Sequence, residues 1–476
     1  MPIKVTTIAD SSNPNANWIN PILGNRSWIG DSVGEGISVL YDFPENIFNQ
    51  ADYIDVPNYV KNAVEETLQT WSNVANINFT RQDGISFSEG VIFEMDSSTS
   101  FLGAAGNTYS PEEFIIKGGF IKISSTLLPN ASDFTKGQQG YATLIHEIGH
   151  ILGFDHPNGS EEFTDPLPAQ FQNTDYSIMH SYIVASGPIT SQYGSPSTPQ
   201  FADILAIQYL YGANYSYKSG NDIYNFANPD VMTIWDGGGV DLIDGSGYAT
   251  EVRINLNEAD GNAYSTMGES AFWIAYGANI ENANGGKVGD VIIGNWIDNR
   301  IFGFNGNDAL SGGDGNDFIN GNRDNDNVRG NGGNDTVRGG KQDDIIFGDS
   351  GNDLVAGDRE SDTLIGGSGD DILRGGKQDD ILEGDSGSDL IYGDKGNDTL
   401  RGGSESDIFI FRAESGVDII QDFEQGSDKL QFSSDIFSNR NDVISSFNNA
   451  VIDLGNGNQV TLIGITNLND TDIIIG

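Results

Sequence analysis

The stretch that decides the fold of much of the chain is residues 330–356, GNGGNDTVR-GGKQDDIIF-GDSGNDLVA, which is three copies of a nine-residue unit. Each unit opens on glycine, carries aspartate at its sixth place and has an apolar residue at its eighth. Glycine permits the positive φ of a tight turn, and a very short strand with one inward side chain follows the aspartate. Units of this kind stack into a parallel β-helix, in which one apolar residue per unit fills a thin core.

Within the block 285–410 the aspartates keep this phase without a break from 308 to 407, and Asp290 and Asn299 extend the phase upstream. The aspartates in phase are Asp308, Asp317, Asp326, Asp335, Asp344, Asp353, Asp362, Asp371, Asp380, Asp389, Asp398 and Asp407. Oxygen ligands beside tight turns indicate calcium, so we predict that these carboxylates bind several structural calcium ions. Without a divalent cation, charge repulsion and glycine entropy outweigh so thin a core. We therefore expect the block to be disordered at low calcium and folded at high calcium.

Two units make one full coil, so alternate turns lie on opposite edges of the stack. The fourth place on one edge, called here the glycine edge, is occupied by Gly315, Gly333, Gly351, Gly369 and Gly387. The third and fourth places on the other edge, called here the basic edge, are Arg323-Asp324, Lys341-Gln342, Arg359-Glu360 and Lys377-Gln378. We expect the basic edge to bind calcium more weakly, with its cations partly neutralising the aspartates.

Changes of composition divide the chain into four predicted segments. Residues 1–212 have helical spacing after Pro57 and again over 138–152, and short strand-like runs at 37–41, 77–80, 91–95 and 121–124, which together predict an α/β unit. Residues 213–284 predict a β-rich connecting segment, 285–410 a parallel β-roll and 411–476 a C-terminal β cap. The predicted fold class is therefore multidomain α/β plus all-β.

Composition also excludes several classes of function. The chain has 69 acidic and 23 basic residues and a net charge of −46, which argues against nucleic acid or an anionic membrane as a partner. It has no cysteine, so thiolate catalysis, disulfides and cysteine–zinc sites are ruled out. No run approaches the roughly 18 apolar residues of a membrane span, and the N-terminus lacks the pattern of a signal peptide, so we expect none.

Residues 146–156 read HEIGHILGFDH, the pattern HExxHxxGxxH. His146 and His150 are one helical turn apart and can reach one metal ion, and Gly153 lets the helix end so that His156 returns as a third ligand. Three nitrogen ligands leave zinc an open position for water, as in catalytic sites. Glu147 lies beside the ligands and is the predicted base that takes the water proton. Met179 follows at the distance of a Met-turn, the apolar floor under such a metal.

The chain resembles the serralysin-type metzincin proteases over most of its length, and its nonapeptides resemble RTX repeats. The resemblance is carried by the zinc motif with Pro157 after it, by residues 68–75, 203–214 and 233–239, and by the C-terminal segment that begins at 417. It implies a metzincin protease domain over 1–212, hydrolysis of peptide bonds in proteins, one catalytic zinc and structural calcium. It also implies signal-peptide-independent export to the extracellular space by a type I secretion apparatus that reads the C-terminus.

The family's Met-turn usually runs Met-Ser-Tyr, and its tyrosine binds the resting metal or steadies the transition state. Here His180 is inserted, so that Tyr182 stands three residues after Met179 and is the residue that the resemblance assigns to this role. We interpret His180 as a local turn variation rather than a fourth ligand. The expected function is that of a secreted, monomeric zinc endopeptidase. The alternative is a calcium-dependent extracellular binding or surface protein with a vestigial protease domain, against which the intact zinc set and Glu147 argue.

Overall fold

The computed structural model describes residues 34, 36–44, 54–97, 102–110, 115–156, 176–180, 195–226, 231–258, 264–448 and 450–476. The chain forms two compact units. The helical unit contains residues up to 221 together with 226–239 and 258–279, and the coil unit contains 222–225, 240–257 and 280–476. The four segments drawn from composition stay a prediction. Within the described residues, no helix is both long and apolar enough to cross a membrane.

Within the described residues, the helical unit has a mixed five-stranded sheet and three α-helices. Its strands are β1 (Ile37–Asp42), β2 (Ile77–Arg81), β3 (Val91–Asp96), β4 (Gly103–Ser110) and β5 (Ile115–Ser124), and its helices are α1 (Asn58–Val74), α2 (Gln139–Ile151) and α3 (Phe201–Tyr211). The sheet order is β2-β1-β3-β5-β4, with β4 antiparallel to β5 at one edge. A short 3-10 helix (Ala131–Phe134) precedes α2. In the same unit, Ser270–Ile274 pairs antiparallel with Ser265–Met267 and parallel with Val231–Ile234.

The helical spacing read from the sequence gives α1 and α2 within a residue or two. Val60, Val64 and Trp71 are buried on one face of α1, and the Trp71 Nε1–H donates to the Ile145 carbonyl of α2 at 3.3 Å. Strand β4 was not predicted, because its sequence GAAGNTYS has little of the β-branched character that marks strands. Pairing with β5 forms it instead, and this strand proves to lie beside the candidate site.

The coil unit is built from two stacks of parallel strands. One stack contains, in spatial order, Val252–Asn255, Val291–Ile293, Ala309–Asp314, Asn327–Gly332, Ile345–Ser350, Thr363–Ser368, Ile381–Ser386, Thr399–Ser404, Val417–Ile420, Asn458–Leu462, Val451–Gly455 and Phe447–Asn448. The other contains Ile223–Tyr224, Leu242–Asp244, Asn282–Asn284, Arg300–Phe302, Phe318–Asn320, Thr336–Arg338, Leu354–Ala356, Ile372–Lys377, Leu390–Lys395, Ile408–Phe411, Lys429–Phe432 and Ile473–Ile475. A helix (Arg440–Ser446) and a 3-10 turn (Asp470–Asp472) belong to the C-terminal end.

The register confirms the predicted parallel β-helix with two nine-residue units per coil. Ile345 pairs with Thr363, eighteen residues further on, and Thr363 pairs with Ile381. The eighth residue of each unit points inward, and Val337, Ile346 and Leu364 have no exposed surface. At the end of the first stack, Val451–Gly455 runs antiparallel to both of its neighbours, Asn458–Leu462 and Phe447–Asn448. The predicted α/β plus all-β fold class is thereby confirmed.

Candidate metal centre and aspartate columns

Helix α2 carries two of the predicted ligands and ends where the motif requires. After Ile151 the Gly153 N–H donates to the His150 carbonyl at 3.1 Å, and the Phe154 N–H to the Gly149 carbonyl at 3.0 Å. Gly153 has a φ of 103°, a conformation that L side chains rarely adopt, so the predicted glycine turn is confirmed. The turn reverses the chain and returns His156 toward the helix.

The three imidazoles converge on one point. The Nε2 atom of His150 lies 3.1 Å from the Nε2 atoms of His146 and of His156, and the latter two are 3.3 Å apart. Four tetrahedral ligands at a zinc–nitrogen distance of about 2.05 Å have edges of roughly 3.3 Å. The donor set therefore has the chemistry and the spacing that a zinc ion needs.

Backbone carbonyls fix the orientation of two of these rings. The Nδ1 atom of His146 lies 2.8 Å from the Ile178 carbonyl, and the Nδ1 atom of His150 lies 3.0 Å from the Phe154 carbonyl. A carbonyl can only accept, so each Nδ1 carries the proton and each Nε2 keeps its lone pair for a metal. Burial, with a smaller contribution from neighbouring histidines, lowers the pKa of His150 to about 4 and that of His146 well below its usual value. Both rings are therefore held in the neutral, ligating form.

Glu147 is buried beside the histidines on the same helix, with 2% of its surface exposed. Burial raises the pKa of this carboxyl to about 8, and a nearby divalent cation would lower it again. Strand β4 passes directly over it. A Cβ atom built on Gly103 would lie 2.8 Å from Glu147 Oε1 and 2.7 Å from Thr143 Cγ2. Sequence reasoning missed this glycine, since nothing in the motif connects it to the helix.

Met179 lies under α2, as expected of a Met-turn. It has no exposed surface, and a Cβ on Gly149 would overlap its sulfur atom. The Met179 backbone N–H donates to Ser177 Oγ at 3.0 Å. Glycine at position 149 of the motif thus makes room for the methionine below the helix.

A buried carboxylate that sequence reasoning missed holds this turn. Asp203 accepts hydrogen bonds from Ser177 Oγ–H and the Ile178 N–H, each at 2.7 Å, and from the Gln200 N–H at 2.8 Å. Complete burial raises the pKa of Asp203 to about 7. The carbonyl of Ile178, fixed in this way, is the partner of His146. The capping-box spacing Gln200-x-x-Asp203 at the start of α3 was the available signal.

The remaining residues predicted for this site are placed as follows. Tyr182 and Pro157 lie outside the described residues, so the role assigned to Tyr182 stays a prediction. His180 is buried, and its N–H donates to the Ser177 carbonyl at 3.3 Å. Burial first, and His156 second, lower the pKa of the His180 ring. Among the described residues, the histidine group with the spacing of a metal site consists of His146, His150 and His156.

All twelve predicted aspartates of the β-roll are buried, in two columns. Each accepts one backbone hydrogen bond at Oδ1 from the aspartate or asparagine one coil earlier, as when the Asp344 N–H donates to Asp362 Oδ1 at 2.8 Å. Among the described residues, eleven of the twelve, all but Asp407, have an Oδ2 atom that is buried without a hydrogen-bond partner. Burial raises the pKa of these carboxyls, to about 6 for Asp335 and about 8 for Asp362. Unpaired buried carboxylate oxygens of this kind need a cation or a proton.

Comparison with a family model identifies the family through the C-terminal part of the chain. Residues 208–475 match the family model described as Peptidase M10 serralysin C terminal. The chain therefore belongs to this family.

Three relatives show how far the likeness extends. Metalloprotease AprA of Pseudomonas entomophila is 35% identical over 275 residues, covering 50% of this chain and 54% of that protein. Serralysin G of Dickeya chrysanthemi is 32% identical over 314 residues, covering 58% and 64%. Serralysin of Photorhabdus laumondii is 31% identical over 305 residues, covering 58% and 62%. The chain thus spans between about half and two thirds of the length of these relatives.

Proposed function

We propose that this chain is a zinc-dependent endopeptidase whose β-roll folds with calcium. The observation that carries the proposal is the convergence of three histidine Nε2 atoms, 3.1 to 3.3 Å apart, beside a buried glutamate. The relative from Pseudomonas entomophila is named a metalloprotease, which is consistent with a metal-dependent protease. His146, His150 and His156 would hold the zinc ion, which supplies Lewis-acid polarisation of a carbonyl and acidifies a water molecule.

The remaining roles, which are proton transfer, positioning of a ligand and stabilisation of the oxyanion, belong to side chains of this protein. Glu147 accepts the proton of the attacking water and passes it to the leaving amine, because it is the carboxylate on the same helix as the ligands and is shielded from solvent. Asp203 positions His146 through the Ser177–His180 turn, and Met179 supports the helix from below. Tyr182 is assigned to the oxyanion by family resemblance.

The substrate class follows from the edge of the sheet. Strand β4 is an edge strand, so its outer side can pair with an extended peptide by strand addition. Gly103 places the start of this strand against Glu147, so that a peptide bound along it would pass the reacting carboxylate. Proteins and peptides in extended conformation are therefore the proposed substrates.

The aspartate columns would hold calcium. Their unpaired Oδ2 atoms lie beside the first glycine of each unit, where a Cβ on Gly357 would overlap Asp362 Oδ2. Calcium prefers carboxylate and carbonyl oxygens, and a turn made of glycine exposes both. Export through a type I secretion apparatus, extracellular location and a monomeric state complete the proposal, on family resemblance alone.

Hydrolysis of casein, measured with and without a chelator, tests the proposed enzymatic activity. Glu147→Ala is compared with the wild type, and Glu94→Ala is the control because it removes one carboxylate of the same unit outside the site. We expect Glu147→Ala to lose more than 10³-fold of kcat while retaining zinc. Glu94→Ala should stay within a few-fold of wild type. Equal inactivity of wild type and Glu147→Ala, with zinc bound and the fold intact, would support the binding-protein alternative instead.

A further inference from the structure

The turns of the two edges have different backbones. On the glycine edge, the fourth residue has a φ between 103° at Gly315 and 130° at Gly387, a range that side chains rarely adopt. On the basic edge, Asp324, Gln342 and Gln378 each have a φ of 72° at the same place, in the left-handed region. Side chains are therefore present on one edge at the position where the other edge requires glycine.

On the glycine edge, backbone fills the space between successive turns. A Cβ on Gly351 would overlap the Gly333 carbonyl oxygen, and a Cβ on Gly369 would overlap that of Gly351. The fourth-place carbonyls of this edge therefore form a close column that only glycine allows. From Gly333 to Gly387 the fourth-place N–H groups donate to backbone carbonyls, as when the Gly351 N–H donates to the Ser368 carbonyl at 2.8 Å.

On the basic edge, side chains replace some of these backbone contacts. The Gly306 N–H donates to Asp324 Oδ2 at 3.0 Å, and the Asp324 N–H donates to Gln342 Oε1 at 3.2 Å. Gln342 Nε2 in turn donates to Asp324 Oδ1 at 3.2 Å. Carboxylate and amide oxygens that would otherwise be free for a cation are thus bonded within the protein.

The edges also differ in charge. Arg323, Lys341, Arg359 and Lys377 are exposed at the third place of the basic edge, one per coil, and none forms an ion pair with a described residue. Arginines on the strands are paired, since Arg329 contacts Asp349 and Arg374 contacts Asp394, each at 2.9 Å. These four cations are therefore not held in direct ion pairs, and the expectation that they partly neutralise the aspartates stays a prediction. They add exposed positive charge beside the turns of the basic edge.

Both edges nevertheless bury an aspartate with an unpaired Oδ2 atom, as in Asp335 on the glycine edge and Asp344 on the basic edge. Both therefore retain a reason to bind a cation. The two edges differ in the free energy of binding a divalent ion. The basic edge places a positive side chain near the ion, and some of its side-chain oxygens already accept hydrogen bonds from the protein.

We propose that the β-roll has two classes of calcium site, a tighter class along the glycine edge and a weaker class along the basic edge. The inference rests on the proposed calcium binding of the repeats and specifies it. One like charge near a divalent ion at the surface weakens its binding by roughly tenfold. Calcium therefore fills the glycine edge first and the basic edge only at higher concentration.

Calorimetric titration of the full chain with calcium chloride, after chelation, tests this with exchanges between neighbouring turns. Lys341→Ser with Gln342→Gly gives a basic-edge turn the third and fourth residues of the glycine edge, and should move one ion from the weak to the tight class. Ser350→Lys, which keeps Gly351 and alters only an exposed side chain, should move one ion the other way. Arg374→Ser removes a cation from a strand instead of a turn and should change neither class.

The outcomes separate the inference from the proposed function. A single class of sites in the wild type, or exchanges that leave both classes unchanged, would overturn the two-class inference while calcium binding stood. No calcium binding at all, together with a circular dichroism spectrum unaffected by calcium, would overturn the proposed calcium-dependent folding itself. Lys341→Ser alone keeps Gln342 and its hydrogen bonds, so it measures the charge contribution separately if the double variant folds poorly.

Discussion

The helical unit and the coil unit both bury ionisable side chains, but they hold them with contacts of very different reach. His146 depends on a carbonyl 32 residues away, α2 is tied to Trp71 across 74 residues, and Tyr211 Oη–H donates to the Leu152 carbonyl across 59. In the β-roll, an aspartate such as Asp362 takes its backbone partner 18 residues away, in the preceding coil. Folding of the helical unit is therefore expected to be cooperative over the whole unit. The stability of the β-roll is approximately a sum of contributions from neighbouring coils.

This difference indicates which unit needs a bound metal ion in order to fold. The helical unit has a large apolar core, including Trp71, Tyr141 and Phe201, that can hold three neutral histidines in place. The β-roll has one apolar residue per unit and buries an aspartate with each. Its stability therefore depends on what neutralises the columns, and the predictions below test that contrast.

The largest expected effect is that acid replaces calcium in the β-roll. The folded-state pKa values are about 8 for Asp326, Asp362 and Asp380, above the usual 3.8 of an aspartate. The folded form therefore binds protons that the unfolded chain has lost, so calcium-free stability is present near pH 4 and is lost as pH rises toward 8. Circular dichroism in chelator should show β-structure at pH 4 and its loss at pH 8, where calcium restores it.

In the helical unit the corresponding shifts oppose one another. The pKa of His150 is lowered to about 4, which removes stability as pH falls from 6.5 toward 4, whereas the raised pKa of Glu147 removes it as pH rises from 4.5 toward 8. We expect its near-ultraviolet signal, measured without metal, to depend on pH less steeply than the far-ultraviolet signal of the β-roll. A calcium-free β-roll that is most stable at pH 8 would contradict this comparison.

The next largest effect is expected from deletions in the β-roll, which test whether its contacts depend only on the register between neighbouring coils. Removing residues 345–362 takes out one complete coil and joins Asp344 to Thr363 in the same register, so we expect calcium-dependent folding to persist. Removing 345–353 takes out half a coil, which moves every later unit to the other stack and places basic-edge turns over glycine-edge turns. Calcium-dependent ellipticity should be lost or greatly reduced, and equal folding of both variants would show that the edges are interchangeable.

In the helical unit, Gly103→Val should displace Glu147 and lower the proposed proteolytic kcat by about 100-fold. Zinc content, measured by elemental analysis, should stay at the wild-type level because the histidines keep their carbonyl partners. Ala104→Val, on the opposite face of β4, is the matched control and should retain most of the activity. Wild-type turnover in Gly103→Val would show that the strand does not constrain the glutamate.

The smallest effect expected is from Asp203→Ala. This change leaves the Ser177 hydroxyl and the Ile178 and Gln200 N–H groups without their buried acceptor, at a cost of about 3 kcal/mol to the helical unit. Since Ile178 orients His146, zinc affinity should fall by roughly tenfold. Competition with a chromophoric chelator measures that affinity. The calcium-dependent ellipticity of the β-roll, followed in the same variant, should not change if the two units respond separately.

The sequence by itself determined the repeating half of the chain almost completely. Each nine-residue unit contains its own turn, its inward residue and its aspartate, and the partner of each is the same residue one coil away. The eighteen-residue register and the buried column from Leu310 to Phe409 therefore followed from period and composition. The zinc motif was equally readable, because one helical turn and one glycine bring His146, His150 and His156 together.

Only the tertiary structure decided what surrounds those elements. Gly103 reaches the site from a strand without strand-like composition, and Asp203 from a helix that begins far along the chain from α2. The capping-box spacing marks Asp203 as a helix cap, but no local pattern connects either residue with the histidines. The orientation of the basic-edge cations was also undetermined, since spacing places a side chain on an edge but does not say what it contacts. Local periodicity fixes contacts between neighbours in a pattern, whereas contacts between distant segments depend on packing that a single sequence does not encode in readable form.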